Sequence, residues 1–371
     1  MLQQDGFHVV SLGDVAELKN NCERNINEFS PFSTTILPGS SDWFVDSFFG
    51  QVYTGVSMQS EGIYGTTAEM PDYPEDKLAN FGYLRVPFRK IPRVIVKSKN
   101  ELCAIVDSLR GANEPVLELL FRGQHTEYLL NRSKLASVFL YGAEDAQEPS
   151  LLASAVRSKV DIDEFTLTWT FILKIYFAKY VEQLGDVMPA SELPRLYEEY
   201  GRFQFSYTQE LFSLALAQHY GLPSVGLDLS TNIDVSLFFA FNKFVRAEKR
   251  SPYVRYEQAK RTQNLPVLYV LAPQARFQLD YKHLKPHSFP TARPDAQRAR
   301  FMHTGWGWNR NYAAKRILMA FYLDFSESEI DSIPNSSDLF PRLENDPFAQ
   351  FLLEARESLP TRILESFYTL S

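Results

Sequence analysis

The stretch Leu119–Leu130, LLFRGQHTEYLL, sets an arginine and a glycine directly against an apolar run. Together with the residues before it, PVLELLFRG (Pro115–Gly123), this run has the length of a buried strand bounded by turn residues. A charge ending such a strand is costly unless it is partnered or put to use. One reading of Arg122 follows from the residues alone: half of a buried ion pair with Asp228 or Glu127. Upstream, SKNELCAIVDSLRG (Ser98–Gly111) has the spacing of an amphipathic helix, with Ser98 as N-cap, Glu101 three residues on, and Gly111 beyond the end. Downstream lies a helical block: SLLASAVRSKV (Ser150–Val160), DEFTLTWTFILKIYFAKYVEQLG (Asp163–Gly185) and TQELFSLALAQHYG (Thr208–Gly221). Strand and helix patterns then alternate to about Phe325. The chain ends in two short helices broken at Pro360. Before residue 96 the sequence is rich in aromatics, Gly and Ser, with strand-like WFVDSFF, YLRVPF and RVIVKS. The pattern predicts an α+β protein whose mixed β-sheet core carries a helical insertion. A β-rich extension occupies residues 1–95, the main domain 96–330, and a helical tail packed on that domain 331–371.

Composition narrows the function. The chain has 371 residues, 45% of them hydrophobic and 14% aromatic, which supports a large core and excludes general disorder. Thirty-eight basic against 45 acidic residues give a net charge of −7, so tight binding to nucleic acid or an anionic membrane is not favoured. Cys22 and Cys103 have no metal-ligand spacing, and no metal is expected. Reduced thiols, no 18-residue apolar run and no export pattern predict a cytoplasmic protein without a membrane anchor.

Two further segments carry candidate chemistry. In Ala217–Phe244, Gly221 and Pro223 should stop the preceding helix, leaving His219 and Tyr220 at its C-terminus. SVGLDLS then reads as a strand in which Asp228 faces away from Leu227 and Leu229. Ser230 and Thr231 fall where that strand enters a helix; Thr231 with Asp234 makes a T-x-x-D box, and such a junction also suits a phosphate. His219 titrates near neutrality when unperturbed and is a candidate acid or base. In Arg293–Asn311, Gln297 precedes Phe301, His303 and a Gly-Trp-rich turn. Arg122, His219 and Ser230 should converge on one pocket.

In combination these segments resemble the FRG domain family of bacterial and phage proteins. The resemblance rests on Phe121, Arg122 and Gly123 followed by Gln124; on Gln218 to Pro223 with Leu227, Asp228 and Phe238 to Ala240; and on Gln297 with Phe301. It spans residues 98 to 325. The run that is Thr-Arg-Leu-Leu-Asp-Trp in the family stands here as Ser224, Val225, Gly226, Leu227, Asp228 and Leu229. The order of an Arg, a Ser/Thr pair and a late polar residue is more loosely similar to R-S-E-type ADP-ribosyltransferases. That likeness implies a transferase-like sheet arrangement and NAD as substrate. Arg122 would hold a phosphate, Ser230 with Thr231 the nicotinamide ribose, and Gln297 would take the place of the carboxylate. The resemblances thus imply catalytic roles for Arg122, His219 and Gln297. Nucleotide contacts would come from Arg122, Gly123, Gln124, Tyr220, Asp228, Ser230 and Thr231. They imply an NAD-using ADP-ribosyltransferase or glycohydrolase in bacterial conflict or phage defence, with a macromolecular acceptor. The other class they imply is a non-catalytic domain that senses a nucleotide or phosphorylated small molecule.

Overall fold

A computed structural model describes residues 7–10, 43–46, 51–54, 83–86, 89–113, 118–132, 134, 137, 144–158, 161–246, 248, 251–259, 264–273, 278–286, 289–303, 311–359 and 362–370. Its strands before the helical block are β1 (Phe7–Val10), β2 (Trp43–Asp46), β3 (Gln51–Thr54), β4 (Tyr83–Val86), β5 (Arg89–Val96) and β6 (Leu120–Gln124). Those after it are β7 (Gly226–Ser230), β8 (Asn242–Arg246), β9 (Tyr253–Gln258), β10 (Val267–Leu271), β11 (Gln278–Asp280), β12 (Ala299–His303), β13 (Ile317–Leu323) and β14 (Thr369–Leu370). The helices that position the site are α1 (Lys99–Asn113), α2 (Ile162–Val187), α3 (Leu193–Gln204), α4 (Tyr207–His219), α5 (Ile233–Phe241), α6 (Ala292–Ala296) and α7 (Pro347–Ser358). The protein is α+β.

Eight strands form the main sheet in the order β11-β12-β7-β6-β10-β13-β5-β4, all neighbours antiparallel except the parallel pair of β13 and β5. The central strands β10 (VLYVL) and β13 (ILMAFYL) are buried at every residue, so they read as continuous apolar runs rather than alternating ones. On one face, Leu120, Leu227, Leu229, Val267, Tyr269 and Ile317 pack together. On the other, Phe121, Leu268, Val270 and Phe321 meet Leu102, Val106 and Leu109 of α1 and Leu237, Ala240 and Phe241 of α5. The helical block makes a third core around Trp169, Phe177, Phe212 and Phe289, joined to the sheet through Phe301 and to α7 through Phe348. Two smaller sheets stand apart: β1-β2-β3, and β14-β9-β8.

Several expectations change in detail. The strands β4 and β5 lie before residue 96 yet complete the main sheet, because β5 pairs with β13 from Arg93 to Val96. Helix α1 is capped as its sequence requires, Ser98 Oγ accepting from the Glu101 N–H at 3.2 Å, but it runs through Gly111 to Asn113. At the C-terminus only the first of the two expected helices forms, as α7. The second is a 3-10 turn over Arg362–Ser366 followed by β14, and Pro360 lies outside the described residues. Of the two cysteines, Cys103 is half-buried with a free thiol, and Cys22 lies outside the described residues. No described helix is long and apolar enough to cross a membrane.

Candidate functional site

Strands β6 and β7 are neighbours that share one paired position, Phe121 opposite Ser230, and part beyond it. Parting leaves the backbone of β7 facing a gap, and buried backbone groups need partners. Side chains supply them. The Gln218 amide donates to the Gly226 carbonyl at 2.9 Å and accepts from the Asp228 N–H at 3.1 Å. Arg122 Nη1 donates to the Asp228 carbonyl at 2.7 Å. Arg122 and Gln218 therefore stand in for a missing stretch of ladder. Gly123 fits the same geometry: α5 packs directly on β6 there, and a Cβ would overlap the Ser236 carbonyl.

The ion-pair reading of Arg122 does not hold. Glu127 is taken by Arg93 at 3.1 Å and by the Tyr322 hydroxyl, and the Asp228 carboxylate lies against His219 Nε2 at 3.3 Å. Among the described residues Arg122 has no carboxylate within ion-pair distance, and its Nε is buried without a hydrogen-bond partner. Burial lowers its pKa to about 10 against the raising effect of Asp228, so the guanidinium stays charged at neutral pH.

Leu227 and Leu229 are buried in the core, and Asp228 between them is partly exposed on the opposite face, as strand alternation requires. The same alternation places Arg122 on the Leu120 face, across from Tyr269, and Asp228 on the Ser230 face. Both nevertheless line one cavity of about 840 Å³, because the cavity lies at the parting of the two strands. His219, Ser230, Gln297, Gly123 and Gln124 line it as well, the side-chain Oε1 of Gln124 being buried without a partner.

His219, at the end of α4, is buried. Its Nδ1 lies 3.0 Å from Gln297 Oε1, and Gln297 Nε2 donates to the Leu339 carbonyl at 3.2 Å. Burial pushes the imidazole pKa well below its usual value, to about 3, opposed by the Gln297 hydrogen bond and assisted by Arg293. Gln297 reaches this position from the C-terminal end of α6 because the next residue, Arg298, turns the chain with φ +44, a left-handed conformation uncommon outside glycine. Thr231 N–H anchors that turn by donating to the Arg298 carbonyl at 3.2 Å.

Two sequence expectations are corrected here, for Thr231 and Tyr220, while Ser230 keeps its place on the cavity. Asn232 rather than Thr231 caps α5, its side chain accepting from the Asp234 N–H at 2.9 Å, and Thr231 points outside the cavity. Ser230 Oγ donates to the Gln297 carbonyl at 2.8 Å and accepts from the Asn232 N–H at 3.0 Å, so it locks the junction of β7 with α6. Tyr220 also stays out of the cavity. It is fully buried, with its hydroxyl donating to Asp346 at 2.9 Å.

Tyr220 belongs to a support that sequence reading missed. Arg293, fully buried, pairs through Nε with Asp346 at 2.9 Å and donates from Nη1 to the carbonyls of His219 (3.1 Å) and Tyr368 (2.9 Å). Its guanidinium lies 4.2 Å from the Tyr220 ring centroid, a cation–π contact. Asp346 also caps α7 by accepting from the Ala349 N–H at 3.1 Å. The tail thus holds the backbone of His219 in place.

Also unforeseen are the cations and aromatics around the cavity. Among the described residues, Arg157, Lys243 and Arg246 join Arg122 on its lining, against one carboxylate, Asp228. Arg246 is spent on tail carbonyls, including Ser366 at 3.0 Å, whereas Arg157 and Lys243 are exposed. One side is aromatic: Phe239, Tyr256, Phe340 and Tyr368. Burial raises the Tyr256 and Tyr368 pKa values, so both hydroxyls stay protonated. A positive lining in a chain of net charge −7 suits an anion, and an aromatic wall suits a planar ring. Among the described residues no cluster of three or more His, Cys, Asp or Glu is placed to hold a metal ion.

Residues 118–249 match the family model of the FRG domain, a span that includes Arg122, His219, Asp228 and Ser230 but ends before Arg293 and Gln297. No curated protein and no solved structure gives a significant match to the chain.

Proposed function

From an FRG domain at residues 118–249 as premise, we propose that the cavity where β6 and β7 part binds a phosphorylated nucleotide, NAD or an ADP-ribose-like molecule, with Arg122 as phosphate anchor. One observation carries this reading. Arg122 is charged, has no carboxylate partner among the described residues and keeps a buried Nε–H unsatisfied at the cavity, an arrangement a phosphate completes with charge-assisted bonds. Gln124 lies beside it. Arg157 and Lys243 add to the attraction from the rim, and Phe239, Tyr256 and Tyr368 offer the base a stacking surface. The test is direct binding of ADP-ribose, NAD and pyrophosphate, read by calorimetry on the parent and on Arg122→Lys. A phosphate anchor loses affinity by about 1–3 kcal/mol in the lysine variant, since the fork is lost and the charge kept.

A second reading, cleavage of NAD with transfer of ADP-ribose in a toxin or phage-defence setting, is favoured by Asp228, the one carboxylate among the described residues lining the cavity. A positive, oxocarbenium-like transition state needs a fixed negative charge. Gln297 does not supply it, because an amide is uncharged, and its own is in addition committed to His219 and Leu339. The catalytic place foreseen for Gln297 therefore passes to Asp228. Release of nicotinamide from NAD by the parent and its loss in Asp228→Asn test this reading. Binding without release makes the domain a sensor.

A further inference from the structure

We infer that Asn242 selects the base of the bound nucleotide, its side-chain Oδ1 accepting from the exocyclic amino group of adenine. The inference rests on the nucleotide reading and deepens it. Asn242 closes α5 and opens β8, and its orientation is set from behind. Its backbone N–H and its Nδ2 both donate to the Phe238 carbonyl, the side-chain bond at 3.0 Å. A carbonyl oxygen only accepts, so the opposite orientation of the amide would set oxygen against oxygen. Nδ2 is thereby committed to Phe238, and Oδ1 is left as an acceptor on a cavity-lining residue, with no partner among the described residues.

The surroundings suit a base. Asn242 and Phe244 lie on one face of β8, because side chains alternate along a strand, and both line the cavity with Phe239 and Tyr256. The Phe244 ring centroid lies 4.8 Å from that of Tyr368 and 5.9 Å from that of Tyr256, and the Phe239 ring lies 6.2 Å from Tyr256. The Tyr256 and Tyr368 hydroxyls face each other at 3.5 Å, so this wall offers a planar ring its apolar surface. The phosphate anchor is close by. A Cβ on Gly123, the neighbour of Arg122, would meet the Ser236 carbonyl and, at 2.8 Å, the Ala240 nitrogen, and Asn242 follows Ala240 by two residues. Anchor and acceptor are thus neighbours across the contact of α5 with β6, as one nucleotide requires. The 6-amino group of adenine brings a donor hydrogen to Oδ1, whereas hypoxanthine, with a carbonyl on the same carbon, brings a second acceptor.

The experiment is calorimetric titration of the full chain with ADP-ribose, with its hypoxanthine analogue inosine diphosphate ribose, and with pyrophosphate. The two nucleotides share their ribose and phosphate parts. The parent is expected to bind ADP-ribose about tenfold tighter than the inosine analogue, the cost of one hydrogen bond. Asn242→Leu should bind the two alike, at the weaker affinity, and should bind pyrophosphate as the parent does, which also shows that the variant is folded. Because the base is changed in the ligand, the parent alone decides if the variant does not fold. Equal affinity of the parent for both nucleotides overturns the inference and leaves the phosphate reading standing, as does a preference for ADP-ribose that persists in Asn242→Leu. If pyrophosphate and both nucleotides fail to bind, the nucleotide reading falls and the inference with it.

Discussion

Arg122 lines the candidate site, Arg293 supports it through the His219 backbone, and the two are held differently. Arg293 is enclosed away from the cavity, paired with Asp346, bonded to two carbonyls and laid against the Tyr220 ring, with its Nη2 buried and unpartnered but not on the cavity lining. Among the described residues Arg122 has one backbone carbonyl as partner, no carboxylate, and a buried Nε–H left over at a cavity. A guanidinium paired with an internal carboxylate serves the fold, and one without a described carboxylate partner whose unused donor lies at a cavity is available to a ligand. The first costs stability when removed, the second binding.

The largest effect expected from this contrast is at Arg293. Arg293→Ala strands the Asp346 carboxylate in the core, at about 3–5 kcal/mol in chemical denaturation. The double replacement Arg293→Met with Asp346→Leu should be less damaging than either single change, because no lone charge remains. Additive losses would show that the pair is not the source of the effect. Next comes Gly123→Ala. With the Ser236 carbonyl in the way, the added methyl must push α5 off β6, at about 1–3 kcal/mol or more in the same assay. A neutral outcome would mean that β6 and α5 are not in direct contact.

A third effect is set by pH. His219 has a folded pKa of about 3 against an unfolded value near 6.5, so the unfolded chain takes up the proton first. Its contribution is therefore full above pH 6.5 and falls as pH drops toward 3, amounting to about 2 kcal/mol of lost stability at pH 5. His219→Gln should flatten that part of the profile. An unchanged slope would place the imidazole in solvent-like surroundings.

The contrast also separates what was legible in the sequence from what was not. The apolar runs of β6, β7 and α5 and the order of Arg122, His219, Asp228 and Gln297 could be read locally, because strand length, caps and turn residues act over a few positions. Asp228 facing away from its leucines followed from alternation alone. The support behind the site did not. Arg293 and Asp346 are 53 residues apart, and nothing local marks either as half of a buried pair. Ser230, Thr231 and Asn232 are all good capping residues in a row, and the choice of Asn232 depends on where β7 ends, which its pairing with β12 decides. Arg157, Lys243 and Arg246 look like ordinary surface cations until the tail and β8 are folded beside β6.

The central claim, that Arg122 is held for a ligand rather than for the fold, is tested most directly by thermal melts of the parent and Arg122→Ala with increasing ADP-ribose. A ligand that binds only the native state raises its melting temperature with concentration. The account predicts that the parent gains stability with ADP-ribose. Arg122→Ala should melt within about 1–2 kcal/mol of the parent, the cost of the lost bond to the Asp228 carbonyl, and show no gain. A variant that collapses by the amount expected for Arg293→Ala, beside a parent that ADP-ribose does not stabilise, would contradict it and make Arg122 a second structural arginine.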